Sequence, residues 1–156
     1  MKGEDLTMRT IWFDMDGTIA DLYGVQDWLP KLRASDPSPY AEAKPMLNFS
    51  LFARYLHQLQ DKGYKIGIVS WASKGGSKSY NTEVANTKLE WRKTHLRSVQ
   101  WIRIVITVYG VEKSKYMQNT DDILFDDNDE IRNSWIGDAY EPSQIMEILK
   151  GLVNGE

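Results

Sequence analysis

The chain of 156 residues contains no cysteine. Disulfides, thiolate-bound metals and a cysteine nucleophile are therefore excluded. Histidine is almost missing as well. Only His57 and His95 are present, too few for a multi-histidine zinc centre, and His57 on its helical pattern reads as a surface or packing residue. No apolar run approaches the roughly 20 residues that span a bilayer. The first nine residues, Met1 to Arg9, are polar and carry no apolar signal core. The expected location is the cytoplasm, with no membrane partner. There is no excess of positive charge either: 19 Lys and Arg stand against 22 Asp and Glu, a net charge of −3. This removes any general drive toward nucleic acid or anionic membranes. Internal repeats and low-complexity segments are also absent.

What remains is an ordinary globular composition, 42% hydrophobic and 26% charged, in a chain long enough for one core. We expect a loose tail over residues 1–9 and a single domain over 10–156. The aromatic residues are scattered singly, which is the distribution of core side chains. One stretch is locally basic: Lys74, Lys78, Lys88, Arg92, Lys93, Arg97 and Arg103 face only Glu83 and Glu90. A solvated helix face is the plain reading, and a positive rim that attracts a phosphorylated substrate is the functional one.

Four short apolar runs with strand-forming residues punctuate the chain. They are Thr10–Phe13, Tyr64–Val69, Ile102–Val108 and Asp122–Phe125, and the third has the β-branched content of a buried strand. Helical patterns lie between and after them. One opens at Pro45, a residue suited to a first helical turn, and ends at Gly63. Others cover Thr82–Leu96, Glu112–Asn119 and Pro142–Val153. Between Leu22 and Pro45 four of the five prolines interrupt the pattern. This segment reads as an irregular, lid-like insertion with one short helix around Val25–Leu32. Strands alternating with helices imply an α/β fold, a three-layer Rossmann-like parallel sheet with right-handed crossovers. In such a sheet the polar residues that end each strand gather at one edge.

Those endings carry the chemistry. Strand one delivers Asp14 and Asp16, strand two Ser70 and strand four Asp126 and Asp127, with Lys113 and Lys115 before strand four. Several carboxylates cannot all ionise together without a counter-charge. Mg²⁺ is the natural one, because it takes hard oxygen ligands. A carboxylate can also attack phosphorus to give an aspartyl phosphate, with a Lys and a Ser hydroxyl holding the phosphoryl oxygens. Rival readings of the pieces fail on spacing. The D-M-D-G run lacks the later ligands of a calcium loop. The run Gly75-Gly76-Ser77-Lys78-Ser79 lacks the spacing of a phosphate-binding P-loop.

D-M-D-G-T at residues 14–18, a strand ending in Ser70, then Lys113, then Asp126-Asp127 together resemble the haloacid dehalogenase (HAD) superfamily of phosphatases. The resemblance spans Ile11 to Trp135. It implies a Mg²⁺-dependent phosphatase with Asp14 as nucleophile and metal ligand. Asp16 is implied as general acid/base, with its backbone carbonyl on the metal. Gly17 would permit the tight turn. Thr18 would support the loop and the substrate site, and Ser70 with the Trp71 N–H would bind the phosphoryl group. Asp127 matches the usual metal-binding Asp, supported by Asp126. For the phosphate-binding lysine, Lys113 is favoured over Lys115, because Y-G-V-E-K at 109–113 resembles a segment of small nucleotidase-like relatives. V-A-N-T-K-L-E-W-R-K-T-H-L at 84–96 and L-F-D-D-N at 124–128 are similar to the small bacterial and phage 5'-nucleotidase-like branch.

The short insertion 22–45 implies a minimal cap and an open site. A nucleotide is the first substrate expectation, with Tyr23, Trp28 or Trp71 available to stack on a base. A polynucleotide 3'-phosphatase, a sugar or small-metabolite phosphatase and a non-enzymatic HAD-fold binding module are the alternatives. A phosphate-accepting receiver domain would place its acceptor on a middle strand, whereas strand two here ends in Ser70.

Overall fold

The structure, a computed structural model, describes residues 9–155. The expected loose tail lies outside the described residues except for Arg9, which is anchored. Its guanidinium donates to the Asp121 carbonyl at 2.7 Å and pairs with Asp138 at 2.6 Å.

Among the described residues, seven strands and six α-helices follow in chain order. The strands are β1 (Thr10–Phe13), β2 (Ala20–Asp21), β3 (Lys44–Pro45), β4 (Lys65–Trp71), β5 (Arg103–Thr107), β6 (Ile123–Phe125) and β7 (Asp138–Tyr140). The helices are α1 (Trp28–Arg33), α2 (Ser38–Glu42), α3 (Phe49–Asp61), α4 (Lys78–His95), α5 (Asp129–Ser134) and α6 (Ile145–Val153). Five strands form one parallel sheet in the order β5-β4-β1-β6-β7. β2 and β3 pair antiparallel beside it. This is the expected α/β, Rossmann-like arrangement.

Strand alternation sorts the core into two faces. Ile11, Phe13, Ile66, Ile68, Ile123 and Phe125 meet Phe52, Leu56 and Leu59 of α3 and Ile145 and Leu149 of α6. Trp12, Val69, Val105 and Leu124 meet Ile131 and Trp135 on and just after α5. Gly67 lies where a Cβ would stand 2.6 Å from the Trp12 ring, so the missing side chain lets the indole lie over β4. The Trp12 N–H donates to the fully buried Asp122 carboxylate, which also accepts the Thr10 amide.

The order of strands places a switch point at the centre. From β1 the chain winds to β4 and β5 on one side; from β6 it winds to β7 on the other. The carboxyl ends of β1 and β6 therefore flank a crevice, where open α/β sheets bind ligands.

Several boundaries differ from the sequence expectation. Pro45 pairs with Ala20 in β3 rather than opening α3. That helix starts at Phe49 because the Asn48 side chain caps it, accepting the Leu51 amide at 3.1 Å. α4 starts at Lys78, four residues before the expected Thr82, because Ser77 caps it through the Tyr80 amide. β5 is an edge strand and only partly buried, not the buried strand expected from its β-branched content. The expected helix 112–119 is a 3₁₀ turn over Lys113–Tyr116. The segment after β6 holds both α5 and a fifth parallel strand, β7, that the sequence reading left unassigned.

The insertion is more ordered than expected. It holds two short helices, α1 and α2, instead of one. Leu22 and Tyr40 bury against Tyr80 and Val84 of α4, with Trp28 and Leu32 alongside. The Tyr80 hydroxyl donates to the Asp36 carbonyl at 3.0 Å. The flap is thus seated on α4 through its own apolar cluster. Among the described residues no helix is long and apolar enough to cross a membrane.

Candidate active site

The turn after β1 is built to present two carboxylates. Met15 buries its side chain, and its carbonyl accepts the amides of Thr18, Ile19 and Ala20 at 2.9–3.1 Å. Gly17 sits at φ +76°, a left-handed conformation, and a Cβ there would collide with Asp127 Oδ2. Asp14 and Asp16, on either side of the buried Met15, therefore both line a cavity of about 650 Å³. Asp126 and Asp127 reach the same cavity from the end of β6, and Ser70 from near the end of β4.

Lys113 sits 2% exposed beneath this cluster. Its Nζ donates to Asp14 Oδ1 at 3.0 Å and Asp126 Oδ2 at 2.6 Å. Lys115 instead lies exposed, 5.7 Å over the Tyr116 ring. The other oxygen of Asp14 accepts from the Thr18 hydroxyl at 3.1 Å. Thr18 is fully buried and does not line the cavity, so it holds Asp14 rather than reaching a ligand. Asp126 Oδ1 accepts the Asn128 amide at 3.0 Å, while Asp127, the more open of the two to solvent, lies against Asp14.

Lys88 is the residue that the sequence reading missed. It was counted in a basic stretch whose plain reading was a solvated face, yet it is 1% exposed. Its Nζ donates to Asp16 Oδ2 at 2.7 Å, Ser70 Oγ at 2.9 Å and the Trp71 carbonyl at 2.8 Å. Of the residues named in that stretch, only Lys74 lines the cavity.

Four carboxylates, Asp14, Asp16, Asp126 and Asp127, thus meet two ammonium groups, Lys88 and Lys113. The titration behaviour reflects that imbalance. Burial, then the charges of Asp14 and Asp126, push Asp127 up to about 7. Burial and Asp14 push Asp126 up to about 6 against the pull of Lys113. Burial also raises Asp16, although Lys88 opposes it. For Lys113, burial acts downward, but Asp14 and Asp126 outweigh it and hold the ammonium above its usual value. Asp14, Asp126 and Asp127 each bring one carboxylate oxygen to within 4.8 Å of the others. An all-oxygen set with surplus negative charge is the donor chemistry that suits Mg²⁺ or a similar hard cation.

The walls of the cavity are aromatic. Tyr23 and Trp28 pack edge-to-face at 4.8 Å on the flap side. Trp71 and Tyr109 lie 4.6 Å apart on the other, with Lys113 Nζ 5.4 Å from the Trp71 ring. The Trp71 indole N–H donates to the Val111 carbonyl at 2.8 Å, which orients the ring. Arg33 and Lys74 stand exposed at the rim. No protein-family model matches this chain, and no curated protein matches it.

Proposed function

We propose that this protein is a Mg²⁺-dependent phosphatase of the haloacid dehalogenase type, acting on phosphate monoesters through an aspartyl phosphate. One observation carries the reading. Four motifs far apart in sequence converge on one cavity, with Asp14 held by Lys113 and Thr18, and Asp16 and Ser70 beside it. A lone acidic cluster supports no such reading, but a carboxylate beside a buried lysine, a serine hydroxyl and a second carboxylate has the parts of a phosphoryl-transfer site.

Asp14 attacks phosphorus, a new P–O bond forms to its carboxylate, and the ester P–O bond breaks. The bonding pair leaves with the ester oxygen, which takes the proton of Asp16. Water then attacks the phosphorus of the Asp14 acyl phosphate while Asp16 takes a proton from that water. Inorganic phosphate leaves, and the Asp14 carboxylate is restored. Lys113 and the Ser70 hydroxyl hold the phosphoryl oxygens. Asp14, Asp127 and Asp126, with the Asp16 carbonyl, would hold Mg²⁺, which supplies positive charge against the phosphoryl oxygens.

A nucleotide is the favoured substrate. Tyr23, Trp28, Trp71 and Tyr109 all line the cavity and supply aromatic rings on which a base could stack, and the cavity volume falls in the range of small-ligand sites. The test is phosphate release from nucleotides, sugar phosphates and 3'-phosphorylated DNA, with Mg²⁺ or with chelator, using Asp14→Asn as control. The expected result is Mg²⁺-dependent release, fastest on nucleotides, that Asp14→Asn abolishes. A wild type inert on the whole panel, or an active Asp14→Asn, overturns the proposal.

A further inference from the structure

We infer that Lys88 is a positioning residue for the leaving-group side of the reaction, fixing Asp16 and Ser70 in the geometry that the chemistry uses. The inference rests on the phosphatase reading above and names a residue which that reading does not need.

Lys88 reaches the site from the middle of α4, a different element from any that supplies a reacting group. It lies on the buried stripe Tyr80, Val84, Lys88 and Trp91. Burying an ammonium is costly unless its donors are satisfied, and here all three N–H groups have an acceptor within 2.9 Å. Lys88 does not line the cavity, so it acts through its partners and not on a ligand.

Each partner is constrained in a useful way. A lysine can only donate, so Ser70 Oγ must accept from it. The Ser70 hydroxyl proton is given to no protein acceptor among the described residues, and Ser70 lines the cavity. That leaves the O–H to donate to a phosphoryl oxygen. Asp16 accepts through Oδ2 and lines the same cavity. The ammonium thereby fixes the rotamer of a side chain that immediately precedes a tight turn. The contact to the Trp71 carbonyl ties the end of β4 to the same point. One buried cation so sets the spacing between the proton donor from β1 and the phosphoryl donor from β4. Lys113 has the corresponding place on the other side, between β1 and β6.

The test compares a substrate whose leaving oxygen needs a proton with one whose leaving oxygen does not. A nucleoside 5'-monophosphate releases an alkoxide, whereas p-nitrophenyl phosphate releases a stabilised phenolate. In Lys88→Met, kcat on the nucleotide should fall about 100-fold, the low end of what general acid catalysis supplies. On p-nitrophenyl phosphate it should fall about fivefold, the effect of one disturbed hydrogen bond to the phosphoryl group. KM should change less than either. The charge-balanced pair Asp16→Asn and Asp16→Asn/Lys88→Met provides a second measurement if the single variant fails to fold. With Asp16 already disabled, removing Lys88 should cost both substrates the same roughly fivefold. Equal losses on the two substrates in Lys88→Met, or a selective loss on the nucleotide in the Asp16→Asn background, overturn the role of Lys88 alone. A wild type that hydrolyses neither substrate overturns the phosphatase reading and this inference with it.

Discussion

Replacing Lys113 by Met tests whether the charge cluster is organised as the distances indicate. Lys113 is 2% exposed and bridges Asp14 at 3.0 Å and Asp126 at 2.6 Å. Removing one member of a buried ion pair costs about 3–5 kcal/mol, because the remaining charge has lost its partner. Two carboxylates lose theirs here, so about 4 kcal/mol is expected at pH 8 without divalent ions. The cost should depend on pH with a defined sign. Asp126 is pushed up to about 6 in the native protein, and Lys113 is one of the groups that pull it down. Its loss drives Asp126 higher still. A carboxyl whose folded-state pKa is raised binds its proton more tightly in the folded state, so stability falls as pH rises toward that pKa. Below pH 6 Asp126 is protonated in both proteins and adds little to the difference. Above pH 6 the difference grows by about 1.4 kcal/mol per pH unit until the variant's carboxyl ionises. Urea melts of wild type and Lys113→Met in chelator, at pH 5 and pH 8, measure both numbers. The destabilisation should shrink by about 2 kcal/mol at pH 5. A loss below about 1 kcal/mol at pH 8, the range of an exposed pair, would refute the bridging geometry. So would a loss of the same size at both pH values.

Further predictions address the same cluster and the turn beside it. Mg²⁺ at about 100 times its dissociation constant should add about 2.7 kcal/mol, which raises Tm by about 5–10 °C for a chain of this size. Asp127→Asn should remove most of that rise. In chelator the same substitution should stabilise the protein at pH 8 and not at pH 4, because the Asp127 carboxyl is pushed up to about 7 and its ionisation above that pH works against folding. Scanning calorimetry with and without Mg²⁺ checks both, and an unchanged Mg²⁺ response in Asp127→Asn contradicts the assignment. Gly17→Ala should cost about 1–3 kcal/mol, because φ is +76° and the new Cβ would meet Asp127 Oδ2. A chemical melt in which Gly17→Ala matches wild type would show that the turn is not held in that conformation.

The parts of the site that were legible in the sequence are those carried by strand ends. Thr10–Phe13 and Asp122–Phe125 are apolar runs with abrupt polar endings, and a parallel sheet gathers those endings at one edge. The order of the strands was not legible: it is the structure that sets β1 between β4 and β6 and so brings Asp14, Ser70 and Asp126 beside one another. β7 was illegible for a physical reason. It is a three-residue edge strand, Asp138–Tyr140, with one apolar side chain packed against the core on either side of the sheet, Ala139 and Tyr140. Such a strand is specified by its neighbour β6 and not by its own pattern. The insertion misled in the opposite direction. Its prolines suggested irregular chain, but Leu22, Trp28, Leu32 and Tyr40 converge on α4 only once that helix exists.

Lys88 was hidden by a misplaced helix start. Beginning at Thr82, the segment shows Val84, Leu89, Trp91 and Leu96, which do not keep one face. Beginning at the Ser77 cap, it shows Tyr80, Val84 and Trp91 at i, i+4 and i+11, and the missing i+8 position is Lys88. A lysine in the middle of an otherwise apolar stripe is a stronger signal than a lysine in a basic run. It must either break the helix's packing or have buried acceptors waiting for it. Asp16, Ser70 and Trp71 are those acceptors, and each comes from a strand end that the sequence motifs had already marked. The Ser77 cap therefore decides more than a boundary. It sits at the start of the helix whose buried stripe of Tyr80, Val84, Lys88 and Trp91 brings an ammonium to Asp16, Ser70 and the Trp71 carbonyl behind the cavity wall.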